Sequence, residues 1–271
     1  MTDTADLRER IARLEWYHTI ELAPGVVTPG WFDTRDVVKR LPFPASLAGK
    51  RCLDIGTFDG FWAFELERRG ASEIVAIDVL DPRKWDWPAG SGESAIGAIG
   101  ERKGRGEGFL VARDALGSKV ERFERSVYEL DPEVDGMFDF IYVGSLLLHL
   151  RDPVGALMRI RSVSRGDVLV VDAIDLGLTI AGRNRPLASF DGAGRPWWWK
   201  PNLATLARMV EAAGFTLLRR PSRCFMPAGV AQGPTTFSPR MLRGKAGREA
   251  LMRERVGDPH GVILAQPAVA L

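Results

Sequence analysis

The chain has 271 residues, 45% of them hydrophobic and 27% charged, with a formal net charge of +2. That length can bury a core in one ordinary domain, the composition excludes a disordered or fibrous chain, and the near-neutral balance singles out no nucleic-acid or membrane partner. Cys52 and Cys224 are too few for a disulfide framework or a multi-cysteine metal site, although they could form one pair, and Cys52 reads as a small buried hydrophobe. The first residues are charged and no apolar run approaches the roughly 18 residues that span a bilayer, so a cytoplasmic protein is expected.

Leu7, Ile11 and Leu14 stand at helical spacing, which predicts an amphipathic helix over 5–17. The run 18–33 carries Pro24, Gly25, Pro29 and Gly30 and is turn-rich, with room for a short strand around Val26 and Val27. A short helix over 34–41 follows. Beyond it, apolar runs alternate with helical stretches, the pattern of a parallel α/β sheet. The predicted strands are 51–55, 72–78, 119–127, 138–145, 167–174, 215–220 and 261–271. Helices are predicted over 60–69 and 108–116, from Asp152 and Pro153 onward, and over 201–213, with Gly70 and Gly214 as C-terminal caps. Residues 79–105, rich in glycine, are expected to form a long mobile loop. Residues 176–200, with Trp197, Trp198 and Trp199, form an irregular insertion on the side of the sheet where lids and substrate contacts lie. One domain over 1–271 is expected, with an N-terminal helix and lid (1–45), a cofactor-binding core (50–175), the insertion (176–200) and the rest of the sheet (201–271).

From Cys52 to Gly70, CLDIGTFDGFWAFELERRG reads as strand, glycine turn and helix. In GxGxxG the second glycine lets the backbone approach a pyrophosphate and the third lets the helix pack on the strand. The corresponding positions are Gly56, Phe58 and Phe61, so NAD or FAD fits poorly, and no Gly-Lys-Ser/Thr follows to make a P-loop. What remains is Asp54-x-Gly56-x-x-x-Gly60, with Asp78 closing the second strand where a carboxylate can accept ribose hydroxyls.

This pattern resembles motif I, D/E-x-G-x-G-x-G, of the class I S-adenosylmethionine-dependent methyltransferases. Their cofactor has no pyrophosphate to bring close to the backbone. The resemblance covers roughly 16–225 and is nearest to the group similar to the tRNA wobble-uridine carboxymethyltransferase. WYHTIEL and VVTPGWFD carry it before the turn, GSLLLHLRDPVGAL after the fourth strand, and PNLATLARMVEAAGF in the late helix. It implies a Rossmann-like α/β fold, a seven-stranded mostly parallel sheet with an antiparallel last strand, and S-adenosyl-L-methionine as cofactor. Position by position, it implies Asp54, Gly56, Thr57, Phe58 and Gly60 at the cofactor turn, Asp78 and Val79 at the ribose, Ser126, Val127 and Tyr128 at the adenine, and Gly144 and Ser145 near the methionine part. Leu148 and Leu150 stand where the tRNA enzymes carry a tyrosine and an arginine that help hold a carboxylated cofactor, which favours the ordinary cofactor and transfer of methyl.

His149, after the fourth strand, is the candidate catalytic base, the alternative being a packing residue bonded to backbone. Such a reaction does not require a base, because alignment supplies most of the acceleration. Candidate substrate contacts are His18 and Glu21 in the N-terminal lid, with Trp31, Trp197 and Trp199, which could instead be core anchors. Trp16, Tyr17, Phe58 and Trp62 offer the same choice, and Phe58 and Trp62, next to the turn, are the ones expected to touch the cofactor site. Asp172 and Asp175 are substrate contacts or caps, and His260 is expected at the surface. The basic run 219–255 suggests either a nucleic-acid footprint or a solvated helix, the second being favoured. The expected function is methyl transfer to oxygen or nitrogen of a small organic molecule such as a secondary metabolite, without a metal. The alternatives are a tRNA-modifying (carboxy)methyltransferase, aminopropyl transfer, or cofactor binding without activity.

Overall fold

A computed structural model describes residues 4–103, 106–233, 238 and 244–269. Helix α1 (Thr4–Ala12) leads into four short strands, β1 (Trp16–His18), β2 (Glu21–Ala23), β3 (Val26–Val27) and β4 (Gly30–Phe32). The core alternates β5 (Arg51–Ile55), α2 (Phe61–Arg68), β6 (Glu73–Asp78), α3 (Glu93–Lys103), α4 (Glu107–Leu116), β7 (Glu121–Glu124), α5 (Pro132–Asp135), β8 (Phe138–Gly144), α6 (Pro153–Ser162) and β9 (Ser164–Ala173). After it come α7 (Leu176–Gly182), β10 (Ala188–Phe190), β11 (Trp199–Pro201), α8 (Leu203–Ala212), β12 (Phe215–Leu217), β13 (Ser222–Met226), α9 (Lys245–Arg255) and β14 (Asp258–Pro267).

The central sheet runs β12-β14-β9-β8-β5-β6-β7, and β13 also pairs with β14. Strands β12 and β13 share one edge of β14, the first opposite Ala265–Pro267 and the second opposite Asp258–Val262, so together they fill one position of a seven-position sheet. Strands β5 to β9 pair in parallel, and β14 is antiparallel to β9. This is the expected α/β Rossmann-like arrangement.

Burial on both faces is why the central strands read as continuous apolar runs. Leu53, Ile55, Ile141, Val143, Val168 and Val170 pack under α6 and α8. Their neighbours in sequence, Cys52, Phe140, Tyr142, Leu169 and Val171, join the opposite core with α1, α2 and α4, as a period of two requires. Trp16 belongs to that second core. It is buried, and its indole donates to the Ile11 carbonyl at 3.1 Å, so the chain leaves α1 after Ala12 and enters β1 instead of continuing the helix to residue 17.

Several other expectations are corrected. Residues 79–105 are not one loop: a 3₁₀ turn (Pro82–Lys84) and α3 lie within them, and residues 104 and 105 fall outside the described residues. Trp85 donates to the Val79 carbonyl at 2.8 Å and Trp87 to the Pro82 carbonyl at 2.7 Å, pinning the segment that precedes α3. The insertion 176–200 contains α7, capped by Asp175, and the β10-β11 hairpin. Over 34–41 only a 3₁₀ turn, Val38–Arg40, forms. Strand β14 begins at Asp258, which takes His260 from the expected surface into the sheet, where it is 3% exposed. Of the basic run, Arg240 and Arg243 lie outside the described residues. Both cysteines are free, and no helix among the described residues is long and apolar enough to cross a membrane.

Gly60 opens α2 at φ +90°, where an added Cβ would lie 2.5 Å from the Phe64 ring and 2.8 Å from Phe109. Gly60→Ala is expected to cost about 2–4 kcal/mol, from left-handed strain plus overpacking. Gly49→Ala, at φ +71° with no atom within 4 Å of the new carbon, is expected to cost only about 1–2 kcal/mol. Urea melts compare the two, and equal losses would exclude the ring contact as the cause.

Candidate active site

A cavity of about 390 Å³ opens at the carboxyl ends of β5, β6 and β8. Its floor is the turn after β5. The amides of Gly56 and Thr57 donate to the Ile77 carbonyl at 2.9 and 3.2 Å, tying the turn to β6. Phe58 then adopts φ +49°, a left-handed conformation that costs a non-glycine residue about 1–2 kcal/mol. Its amide donates to Asp78 Oδ2 at 3.0 Å, and its ring lies 5.3 Å from that of Tyr17. Asp78 Oδ1 accepts the Val79 amide at 2.8 Å.

Asp54 is 1% exposed, and burial pushes its carboxyl up to about 7, against the lowering effects of the nearby Thr57 hydroxyl and of His18. Asp54 Oδ2 and Thr57 Oγ1 both lack a hydrogen-bond partner among the described residues. Asp59, between Phe58 and Gly60, faces the N-terminal strand: its Oδ2 accepts the amides of Tyr17 and His18, and its Oδ1 meets His18 Nδ1.

On the β6–β7 side, Ser126 and Glu129 form a reciprocal capping box around the 3₁₀ turn Val127–Glu129. Tyr128 donates its hydroxyl to Asp86 Oδ2 at 2.8 Å, and burial raises its phenol above the usual range. The same Oδ2 accepts the Arg151 amide at 2.8 Å, and the Asp86 carbonyl accepts the Trp198 indole at 2.7 Å. Asp86 thus joins the loop after β6, the loop after β8 and the insertion.

On the β8 side, Ser145 is also left-handed at φ +51°, and its hydroxyl meets His260 Nε2 at 3.0 Å. Burial lowers the pKa of His260. Asp172 accepts the Leu146 and Leu147 amides at 2.7 and 2.8 Å, and burial pushes it up to about 6. It shapes the loop from behind the cavity wall. His149 Nδ1 lies 2.7 Å from the Pro196 carbonyl, which can only accept, so Nδ1 carries the proton and Nε2 is the basic nitrogen. The Trp197 ring lies 6.5 Å away, with the Arg195 guanidinium 3.8 Å above the centre of that ring.

The cavity wall brings together Asp54, Gly56, Phe58, Asp78, Val79, Ser126, Val127, Tyr128, Gly144, Ser145, His149, His18, Trp31 and Trp197 from the sequence-predicted set. Thr57 and Gly60 support the turn from outside that wall. Glu21 is exposed and accepts the Gly25 amide at 3.2 Å in the β2-β3 hairpin. Trp199 donates its indole to the Arg151 carbonyl at 3.1 Å and packs 4.9 Å from Phe190, away from the cavity. Trp16, Tyr17 and Trp62, expected as either core anchors or stacking surfaces, line it as well. Sequence reasoning missed Lys84, Trp85, Asp86 and Arg125 in the wall and Asp59 beneath it. Only Asp59 left a signal, as the acid inside the glycine turn.

The chain matches the family model described as a methyltransferase domain over residues 33–220. None of the curated proteins matches it. Among solved structures it is similar to the 1,6-didemethyltoxoflavin-N1-methyltransferase of Burkholderia thailandensis, determined with 1,6-didemethyltoxoflavin and S-adenosylhomocysteine, at 16% identity and TM-score 0.51, covering 99% of this chain and 80% of that one. The N-terminal domain of EvdMO1 with bound S-adenosylhomocysteine gives 17% identity and TM-score 0.55, covering 99% and 98%. The cyclase SpnF gives 18% identity and TM-score 0.51, covering 88% and 80%. At these identities the likeness establishes the fold. Because the family model spans well over half its length, the chain belongs to the methyltransferase domain family.

Proposed function

We propose that the protein is an S-adenosyl-L-methionine-dependent methyltransferase that methylates an oxygen or nitrogen atom of a small organic molecule. The observation that carries this reading is the pair of carboxylates at successive strand ends in one cavity, Asp54 with a partnerless oxygen and Asp78 at the end of β6. The donor set suits the cofactor. Asp54 would take its ammonium, Asp78 its ribose hydroxyls, and the apolar surfaces of Ile77, Val79 and Val127 its adenine, beside Ser126 and Tyr128. Gly56 and Gly144 line the wall where the methionine part would lie, with Ser145 beside it. When bound, the cofactor supplies a methyl group already activated by a sulfonium leaving group.

Much of the rest of the wall is aromatic. Tyr17, Trp31, Phe58 and Trp197 suit a flat acceptor, and rings exclude water from it. His149, the catalytic histidine in this reading, is held by Pro196 so that Nε2 can orient the acceptor's O–H or N–H. Alignment of this kind is the main contribution such a site makes. The apolar Leu150 in the wall supports the ordinary cofactor over a carboxylated one and so a small molecule over tRNA.

Asp78→Ala is expected to weaken S-adenosylhomocysteine binding by roughly 30- to 100-fold, the loss of charged hydrogen bonds. Unchanged affinity by calorimetry would remove the ribose assignment. His149→Ala is expected to lower turnover about 10- to 100-fold with little change in cofactor affinity, read as S-adenosylhomocysteine released. Because Asp54 ionises at about 7 and only its charged form attracts an ammonium, S-adenosylhomocysteine affinity is expected to rise as the pH increases through that value and then level off. A flat profile between about pH 6 and 8 would exclude Asp54 from that contact.

A further inference from the structure

The glycine turn carries an acid that this reading leaves unused. Asp59 is 1% exposed and its carboxylate is spent entirely on the N-terminal strand. One oxygen accepts the amides of Tyr17 and His18 at 2.9 and 2.7 Å, and the other meets His18 Nδ1 at 2.6 Å. The imidazole stacks on Phe61 at 5.1 Å and has the edges of Tyr17 and Trp62 against it at 4.8 and 6.0 Å. His18 is at the same time part of the cavity wall. With Nδ1 committed, Nε2 is the nitrogen left to meet a ligand, and no described residue hydrogen-bonds it.

Resting on the methyltransferase reading above, we propose that His18 is a second catalytic residue, which takes the acceptor's proton at Nε2, and that Asp59 is the residue that positions it. A buried carboxylate on Nδ1 fixes the tautomer and orientation of an imidazole and stabilises the imidazolium once it forms. The two histidines of the wall therefore differ in kind. His149 is held by a neutral carbonyl, which orients it but offers no counter-charge, whereas His18 is held by a carboxylate. The acceptor atom uses its lone pair to bond the methyl carbon and gives up its proton to His18 Nε2. The electrons of the broken carbon–sulfur bond stay on sulfur, and the positive charge ends on the imidazolium beside Asp59. In a cavity walled by rings, that counter-charge is already in place before the transfer begins.

The pair also accounts for the shape of the turn. The left-handed Phe58 and Gly60 bracket Asp59, and that double reversal directs its side chain toward His18, 41 residues earlier in the chain.

The test uses the full chain, S-adenosylhomocysteine as binding probe, and a panel of phenols and N-heterocycles supplied with S-adenosylmethionine. The sequence has three histidines, so long-range proton–nitrogen spectra resolve each ring. His18 is expected to carry its proton on Nδ1, with a strongly deshielded resonance that disappears in Asp59→Asn. His18→Gln is expected to lower kcat roughly 100- to 1,000-fold, with KM and S-adenosylhomocysteine affinity within about threefold. Asp59→Asn is expected to do much the same by mis-setting the tautomer. A His18 protonated on Nε2 overturns the proposal, as does an unchanged kcat in His18→Gln, which keeps the Asp59 bonds to the backbone should Asp59→Asn fail to fold. If the wild type binds no S-adenosylhomocysteine, the methyltransferase reading itself fails. If it binds but methylates nothing in the panel, the nitrogen that carries the His18 proton decides.

Discussion

The site depends on one constraint, the left-handed passage of the chain through Phe58 and Gly60 at the end of β5. A phenylalanine in that conformation is unfavourable by about 1–2 kcal/mol. A hydrogen bond from its amide to a carboxylate, worth about 1.5–3 kcal/mol, offsets the strain. The acceptor is Asp78, so the conformation of the first turn and the placement of the second strand's terminal acid are set by the same bond. Asp59, turned the opposite way, fastens the N-terminal strand to that turn. Three stretches far apart in sequence are thereby fixed to within hydrogen-bond distances.

The carboxyl edge of the sheet carries three buried acids with three different sets of partners. Asp54 keeps an oxygen without a partner, and burial alone dominates it. Asp172 is buried just as deeply but accepts three amides, from Leu146, Leu147 and Ala173, which hold part of the upward push in check. Asp78 is satisfied by the amides of Phe58 and Val79 at the cavity mouth. Identical side chains at equivalent strand ends thus divide into one that keeps an oxygen without a partner, one that shapes the loop after β8, and one that shapes the turn after β5. Chemical type alone does not separate them; the amides around each acid do.

How much of this was legible in the sequence follows from where the signal is local. Strand β5 was read to the residue, because Lys50 and Arg51 mark its start and the glycine turn at Gly56 marks its end. The turn itself pointed away from a dinucleotide, since a benzyl group at 58 hinders a close pyrophosphate and one at 61 hinders the close packing of helix on strand. Helix α3 was not legible: Gly97 and Gly100 each cost about 1 kcal/mol of helix propensity, while the tryptophans that pin the preceding turn act through backbone carbonyls that no periodicity reveals. His260 was misplaced because the last strand was expected to begin at Gly261, whereas pairing with β13 carries it back to Asp258 and pairing with β9 includes His260. Asp59 occupied a variable position of its motif. Its meaning lies entirely in a partner 41 residues away, a distance at which sequence pattern carries no information.

The division of labour between β12 and β13 has a consequence for the outside of the molecule. An exposed sheet edge is a template on which another chain can add a strand. Here that edge is cut into segments of three and five residues, and the gap between them holds Arg219, Arg220 and Pro221, two charges and a residue with no amide hydrogen to donate. The opposite edge, β7, is only four residues long and carries Glu121, Arg122 and Glu124. Neither margin offers a long apolar ladder to a foreign strand, so a sheet with a strongly hydrophobic centre is protected from intermolecular pairing by the sequence of its own borders.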